Sequence, residues 1–451
     1  MQLKRWGKVV AAGVALATLP ALPAAASVRH AASPVCVPRA APPQAGLKLI
    51  AAPTSGSGLY TFASHAMGAN VHAIVRLPSG YSTARRYPVL YLLHGHGGGG
   101  YRDWTRHGVD ALIGGRPVIV VMPEGGYDGF YSDWYGQGVG RAAVNGPAPV
   151  PAWESFHIRE LIPWVDTTFS TIAGREGRAI AGNSMGGFGA MSYAARHPDL
   201  FVAAGAFSGA VNSTLVSPVG PVVQAVAANA GDRQFPDNCI WGDPVIQAVR
   251  WQNHDPTALA TNLRPLALYQ RVGDGTPGRY DDVVVKPPSA GAVANERGIA
   301  FMNHAFDRAL SHAGIDHRAT FEHGVHDWPY WLDDLREFLP IAEAAFAHPR
   351  LAPPSVPFSY RSATSTFSLW GWMFRSDQPD ETSFVELSEV SRLGFTVRGA
   401  GWLHVDTAPL FVPGHTYRVG PQTRTADSRG RLHLDLPLSS RSVYLSIHDL
   451  A

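Results

Sequence analysis

Gly182-Asn183-Ser184-Met185-Gly186-Gly187 is a G-x-S-x-G sequence and the strongest chemical signal in the chain. It directly follows the run Arg178 to Ala181, which reads as a strand, and precedes a helical pattern opening at Gly187. Small residues on both sides of Ser184 allow a turn sharp enough to leave its hydroxyl projecting from the strand's C-terminal end. A serine hydroxyl is a poor nucleophile until a base takes its proton, so a histidine is required later in the chain. Of the 19 histidines, His326 stands out in Gly324-Val325-His326-Asp327-Trp328-Pro329-Tyr330-Trp331, a loop after the last expected core strand and ahead of a helix. His323, three residues earlier, reads as a surface or strand-end residue.

A carboxylate must orient that imidazole and stabilise its charged form, and the order Ser, acid, His places it between Met185 and Val325. Position favours Asp274, just past the expected strand Leu266 to Val272, with Asp281, Asp282 and Glu296 further on. Attack on a carbonyl also develops an oxyanion, and removing one preorganised donor costs roughly 2.7–4 kcal/mol. The expected donors are the backbone N–H of Met185 and that of His96, in the loop His94-Gly95-His96-Gly97-Gly98-Gly99-Gly100, where glycines let backbone approach a ligand. Read as a phosphate loop, this run lacks the following Lys-Ser/Thr; read as a metal pair, His94 and His96 lack a third ligand. Side chains and backbone donors complete the chemistry, so neither metal nor cofactor is expected.

These residues need a scaffold that brings strand ends together. Pro88 to Leu93, Val118 to Met122, Arg178 to Ala181, Phe201 to Phe207, Leu266 to Val272 and Arg318 to Glu322 read as strands, several apolar on both faces as buried parallel strands are. Trp153 to Phe169, Gly187 to His197, Glu296 to Ala313 and Trp331 to Ala347 carry helical periodicity between them. The alternation predicts an α/β fold with a doubly wound, mostly parallel sheet over residues 59–348, and the strand–G-x-S-x-G–helix turn fits the α/β-hydrolase kind. Residues 349–356 hold Pro349, Pro353 and Pro354 and read as a stiff linker. Beyond it, residues 357–451 alternate between wet and dry positions, most clearly in Leu432-His433-Leu434-Asp435-Leu436, and predict a small all-β sandwich-like domain. That domain is the candidate for cell-wall or glycan contact.

With the scaffold in place, a wider set of motifs becomes informative. Met122-Pro123-Glu124-Gly125-Gly126, Phe130-Tyr131-Ser132-Asp133-Trp134-Tyr135, Trp153-Glu154-Ser155-Phe156, Gly273-Asp274-Gly275-Thr276-Pro277 and His326-Asp327-Trp328-Pro329-Tyr330-Trp331 together resemble the secreted mycolyltransferases and their esterase D-like relatives. The resemblance covers roughly Leu59 to Phe346. It implies acyl-enzyme chemistry on Ser184, and an acid that is a glutamate at a helix start, followed seven and ten residues later by Asn and Phe. Glu296, Asn303 and Phe306 fit that spacing, so the resemblance favours Glu296 over Asp274. The transferases carry Leu-Asp-Gly at the oxyanion strand, with the aspartate helping to hold trehalose. This chain has Leu93-His94-Gly95, the form of ordinary esterases. Expected substrate contacts are His94, Trp134, Trp328 and Trp331.

Composition narrows the rest. Lys4, Arg5 and Lys8, the apolar run Val9 to Leu19, and Ala24-Ala25-Ala26 before Ser27 predict an export signal over 1–26, cleaved near Ala26-Ser27, with a following arm at 27–58. Without its three basic residues, 37 basic against 35 acidic becomes 34 against 35, so the mature chain has no basic excess and nucleic acid is not an expected partner. No later stretch is long and apolar enough for a membrane span. Export allows Cys36 and Cys239 to form one intramolecular disulfide. The expectation is a secreted serine esterase acting on a small-molecule, lipid or glycan ester. The alternative is an acyltransferase that passes the acyl group to trehalose or another sugar hydroxyl. An inactive wall-binding or adhesion protein is a third reading, opposed by the intact Ser184, Glu296 and His326.

Overall fold

The computed structural model describes residues 36–97, 99–138, 149–214, 238–282 and 284–450. The expected export signal and the first residues of the arm lie outside them. Nine strands form the central sheet: β2 (Leu47–Ala51), β3 (Gly58–Ser64), β4 (Ala69–Arg76), β5 (Val89–Leu93), β6 (Ile119–Pro123), β8 (Arg178–Asn183), β9 (Ala203–Phe207), β11 (Ala267–Gly273) and β12 (Arg318–Glu322). Their order is β12-β11-β9-β8-β5-β6-β4-β3-β2. The six from β12 to β6 run parallel, and β4, β3 and β2 complete the sheet antiparallel. This is the α/β-hydrolase architecture expected from the alternating pattern. It reaches further N-terminally than 59–348, because β2, within the expected arm, forms its edge.

Both faces of the parallel strands are covered. Along β5, Val89, Tyr91 and Leu93 enter one apolar cluster while Leu90 and Leu92 enter the other. Strict alternation into two dry layers requires every residue of β5 to be apolar, which is why it reads as a continuous run. The antiparallel strands gave a weaker signal, since β2 is mostly exposed and β4 alternates for only part of its length.

A small side sheet joins β1 (Cys36–Pro38), β7 (Gly136–Gly138) and β10 (Asn238–Cys239). Here Cys36 and Cys239 form a disulfide across 203 residues of sequence. After the helix Trp328–Ala347, two further antiparallel sheets enclose a separate core of Phe358, Trp372, Phe374, Phe395, Leu434 and their neighbours. One contains β13 (Phe358–Ser362), β16 (Val385–Ser391), β17 (Gly394–Arg398), β22 (Val443–Asp449), β19 (Thr416–Val419) and β20 (Gln422–Thr425). The other contains β14 (Thr366–Leu369), β15 (Trp372–Ser376), β18 (Trp402–Asp406) and β21 (His433–Pro437). These sheets and the α/β region belong to one compact unit.

Candidate active site

Register aligns the ends of the parallel strands: Leu93 faces Gly182, Asn183 faces Phe207, Phe207 faces Arg271, and Gly273 faces Glu322. The residues that follow those ends therefore meet at one edge of the sheet, where open α/β folds place their sites.

Ser184 occupies the turn between β8 and the helix Met185–Arg196, at φ 53° and ψ −118°. The turn is tight enough to explain its composition. A Cβ on Gly182 would come 2.6 Å from the Gly186 carbonyl, and one on Gly186 would come 2.5 Å from the Leu93 oxygen. A backbone this strained in a non-glycine residue persists only where its surroundings hold it, and here the Ser184 N–H donates to the Phe207 oxygen at 2.9 Å.

His326 and Ser184 are 142 residues apart, yet His326 Nε2 lies 2.9 Å from Ser184 Oγ, and His326 Nδ1 lies 2.6 Å from Glu296 Oε2. A carboxylate only accepts, so Nδ1–H donates to Glu296 and Nε2 is left to accept from the Ser184 hydroxyl. Glu296 is 1% exposed. Its other oxygen accepts from Ser208 Oγ at 2.7 Å and from the Gly273 N–H at 2.6 Å. Nearby, burial pushes the Asp334 carboxyl well above the usual carboxylate range; the Arg271 guanidinium opposes this, and the Glu296 charge adds to it.

Glu296 does not begin its helix. The helix runs Ala290–His312, capped by Ser289, whose hydroxyl accepts from the Ala292 N–H, so the acid sits in its second turn. Asn303 and Phe306 are buried on the same helix, and Asn303 Nδ2 donates to the Gly209 oxygen at 2.8 Å, fixing the helix against the loop that carries Ser208. Asp274 lies apart from His326. It is 45% exposed, accepts from Thr276, and sits 2.7 Å from Nδ1 of the exposed His323.

The His94–Gly97 loop passes directly over Ser184, and a Cβ on Gly95 would come 3.3 Å from Ser184 Cβ. Met185 opens its helix, so its N–H has no intrahelical partner. The next loop stitches this one down. Gly125 N–H donates to His94 Nε2 at 2.8 Å, Tyr131 O–H donates to the His94 oxygen at 2.8 Å, and Gly97 N–H donates to the Tyr127 oxygen at 3.1 Å. His96 is half exposed, with Nδ1 against the buried Asp128 carboxylate.

Two of the expected substrate contacts stand elsewhere. His94 is 1% exposed, with Nδ1 donating to the Gly95 oxygen at 2.7 Å, so both ring nitrogens serve the loop itself. Trp134 is buried in the core and donates from Nε1 to the Gly129 oxygen at 2.9 Å. Trp331 packs edge-on against the His326 ring at 4.8 Å, and Trp328 fills the space between Trp331 and the His107 ring, on which it stacks at 3.8 Å. The motif reading did not single out Ser208 or Gly273 as carboxylate donors. Ser208 follows a strand end and has φ 44°, which no residue pattern announces.

Comparison with known proteins matches this framework. A family model described as "Putative esterase" matches residues 64–341, more than half of the chain. The esterase Rv1288 of Mycobacterium tuberculosis is 33% identical over 270 residues, 59% of this chain and 55% of that protein, so the chain spans about half the length of this relative. The diacylglycerol acyltransferase/mycolyltransferase Ag85B of Mycobacterium leprae is 33% identical over 240 residues, 52% of this chain and 68% of that protein. Among solved structures, MPT51 of Mycobacterium tuberculosis aligns over 67% of this chain and 99% of its own, with 22% identity and a TM-score of 0.46. Through the family model and these relatives, the chain belongs to the esterase family.

Proposed function

We propose that this protein is an exported serine esterase that works through an acyl-enzyme on Ser184. The hydrogen-bonded relay Ser184–His326–Glu296, set at the ends of β8, β11 and β12 in a member of an esterase family, carries the reading. His326 takes the hydroxyl proton as Ser184 Oγ bonds to the ester carbonyl carbon, and the carbonyl oxygen becomes an oxyanion facing the N–H groups of Met185 and His96. As the tetrahedral centre collapses, the ester C–O bond breaks and His326 returns its proton to the leaving alcohol. Water then repeats the sequence on the acyl-enzyme and releases the acid. Glu296 holds the Nδ1–H tautomer throughout and stabilises the imidazolium.

Export rests on the basic, apolar and small-residue pattern of 1–26. Among the described residues no helix is long and apolar enough to cross a membrane. The decisive experiment is hydrolysis of p-nitrophenyl esters from acetyl to palmitoyl by the protein and by Ser184→Ala. Unchanged turnover in the variant would sink the mechanism. The similarity to Ag85B favours one second reading, transfer of the acyl group to a sugar hydroxyl. Added trehalose or glucose should then accumulate acyl ester at the expense of free acid; no sugar ester would dismiss transfer to those acceptors. Glycan contact by the C-terminal sandwich remains a proposal of its own, tested by retention of Ser184→Ala protein on insoluble cell-wall polysaccharide.

A further inference from the structure

Glu381 lies in the loop between β15 and β16, at φ 57° and only 4% exposed. Its carboxylate enters a socket built wholly from the segment that matches the esterase family. Arg250 Nη1 pairs with Oε2, while His254 Nε2 at 2.8 Å, Asn253 Nδ2 at 2.8 Å and Arg196 Nη1 at 3.6 Å address Oε1. Burial opposes the charge, but His254, Arg250 and Arg196 outweigh it and hold the carboxyl well below the usual range. Arg196 has a second carboxylate, Glu154, at 3.0 Å, which also meets His197 Nε2 at 2.7 Å. Among the described residues, Glu381 is the carboxylate in ion-pair contact with both Arg250 and His254, and Glu154 acts on His254 from further away.

The socket connects to the nucleophile by packed contacts. Arg196 ends the helix that Ser184 begins, and Ser192 Oγ on that helix donates to the His254 oxygen at 2.9 Å. The His254 ring stacks on Trp241, and Trp241 lies 5.4 Å from Phe188 in the first turn after Ser184 and 5.6 Å from Phe130. Backbone contacts fasten the same seam: Ala363 N–H donates to Asn253 Oδ1 at 2.8 Å, and Arg361 N–H and C=O pair with the Asn262 side chain at 2.9 Å each. A module tethered only by a linker needs no buried charge inserted into its neighbour.

We infer that the C-terminal sandwich is a working part of the esterase unit, and that Glu381 is a positioning residue whose docking sets the helix carrying Ser184. The inference rests on the esterase reading for its turnover readout, and on nothing but the fold for its stability readout. Full-length Glu381→Ala, Glu381→Asp and the double variant Arg250→Met/Glu381→Met are compared with wild type by thermal unfolding. Their rate of fluorophosphonate labelling and kcat/KM on p-nitrophenyl acetate are measured at 20 °C, where far-UV circular dichroism shows each variant folded. Glu381→Ala should lower Tm by about 4–6 °C, because it strands buried cations. Labelling and turnover should fall about 10-fold through loss of coupling. The double variant should recover at least half of both losses, because it leaves no lone arginine, and Glu381→Asp should fall between Glu381→Ala and wild type. If Glu381→Ala does not fold, the double variant and Glu381→Asp carry the comparison, and wild-type labelling in both overturns the positioning role. An unchanged Tm in Glu381→Ala overturns the brace. A lowered Tm with wild-type labelling and turnover leaves a purely structural contact and overturns the positioning role. Absence of turnover and label in the wild type itself counts against the esterase reading, while the Tm comparison still decides the brace.

Discussion

Ser208 is the residue through which the geometry makes its most specific demand. Its hydroxyl donates to Glu296 Oε1 at 2.7 Å, and among the described residues the one other donor to that oxygen is the Gly273 N–H at 2.6 Å. The carboxylate is buried, so a lost donor is not replaced by bulk water. A hydrogen bond to a charged group contributes about 1.5–3 kcal/mol, and 1.36 kcal/mol on the barrier is about tenfold in rate. If half or more of that loss reaches the transition state, Ser208→Ala should reduce kcat/KM on p-nitrophenyl butyrate by about 4- to 160-fold with little change in KM. Ser208 sits at φ 44°, so the alanine variant keeps the backbone strain and a glycine variant relieves it. Ser208→Gly should therefore be the more stable of the two yet equally impaired in turnover. Wild-type kcat/KM in Ser208→Ala would refute the reasoning, as would an impaired alanine variant beside a fully active glycine variant, since strain and not the hydroxyl would then matter.

Exchanging the two candidate acids separates them. Glu296→Gln should lower kcat by about 10⁴-fold through loss of the correct tautomer, while Asp274→Asn, at a side chain that meets Thr276 and His323, should stay within about threefold of wild type; equal effects on steady-state turnover would discredit the assignment. The Cys36–Cys239 bridge closes 203 residues, so by chain entropy it contributes roughly 5 kcal/mol. Cys36→Ser should then melt about 6 °C lower, and an unchanged calorimetric Tm would count against that contribution. His157 is buried with Nε2–H on the Glu124 oxygen and Nδ1 accepting from Tyr193, and burial pushes its pKa down to about 3. The folded value lies below the unfolded one of about 6.5, so its contribution is full above that pH and is lost as pH falls toward 3. By pH 5 the loss is about 2 kcal/mol. His157→Gln should gain that much on the wild type between pH 7.5 and pH 5 in urea titrations, and a pH-independent gap between the two would dismiss the buried neutral ring.

The residues with distinctive chemistry were legible before any fold. G-x-S-x-G between a strand and a helix located Ser184 because a sharp turn leaves a local trace in small residues. His326 was legible because its loop is bounded by a strand and a helix. The parallel strands β5 and β6 announced themselves because burial on two faces demands unbroken apolar runs. Where the demand is one-sided or the strand is short, as in β2, β14 or β20, the pattern is indistinct. Position along the chain favoured Asp274 and the family resemblance favoured Glu296. The structure brings Glu296 to His326 because Ser289 caps the helix seven residues before the acid and turns that face toward the end of β11.

What no stretch of sequence carries is pairwise distance. Ser208 reaches Glu296 across 88 residues, and Glu381 reaches Arg250 across 131. Neither contact shows as a motif, because a single hydroxyl or carboxylate is locally indistinguishable from a solvated one. His94 and Trp134 were misplaced for the same reason: residue type shows that imidazole and indole can meet a ligand, and only packing decides that they face Gly125 and Gly129 instead. The sequence by itself marked Ser184 and His326 as the candidate nucleophile and base and determined the parallel sheet and the β-rich C-terminal region, all of which rest on local periodicity and turn chemistry. Tertiary structure alone decided which donors grip the acid and that the C-terminal sandwich inserts a charge beneath the nucleophile's helix, because those depend on where distant strand ends and loops converge.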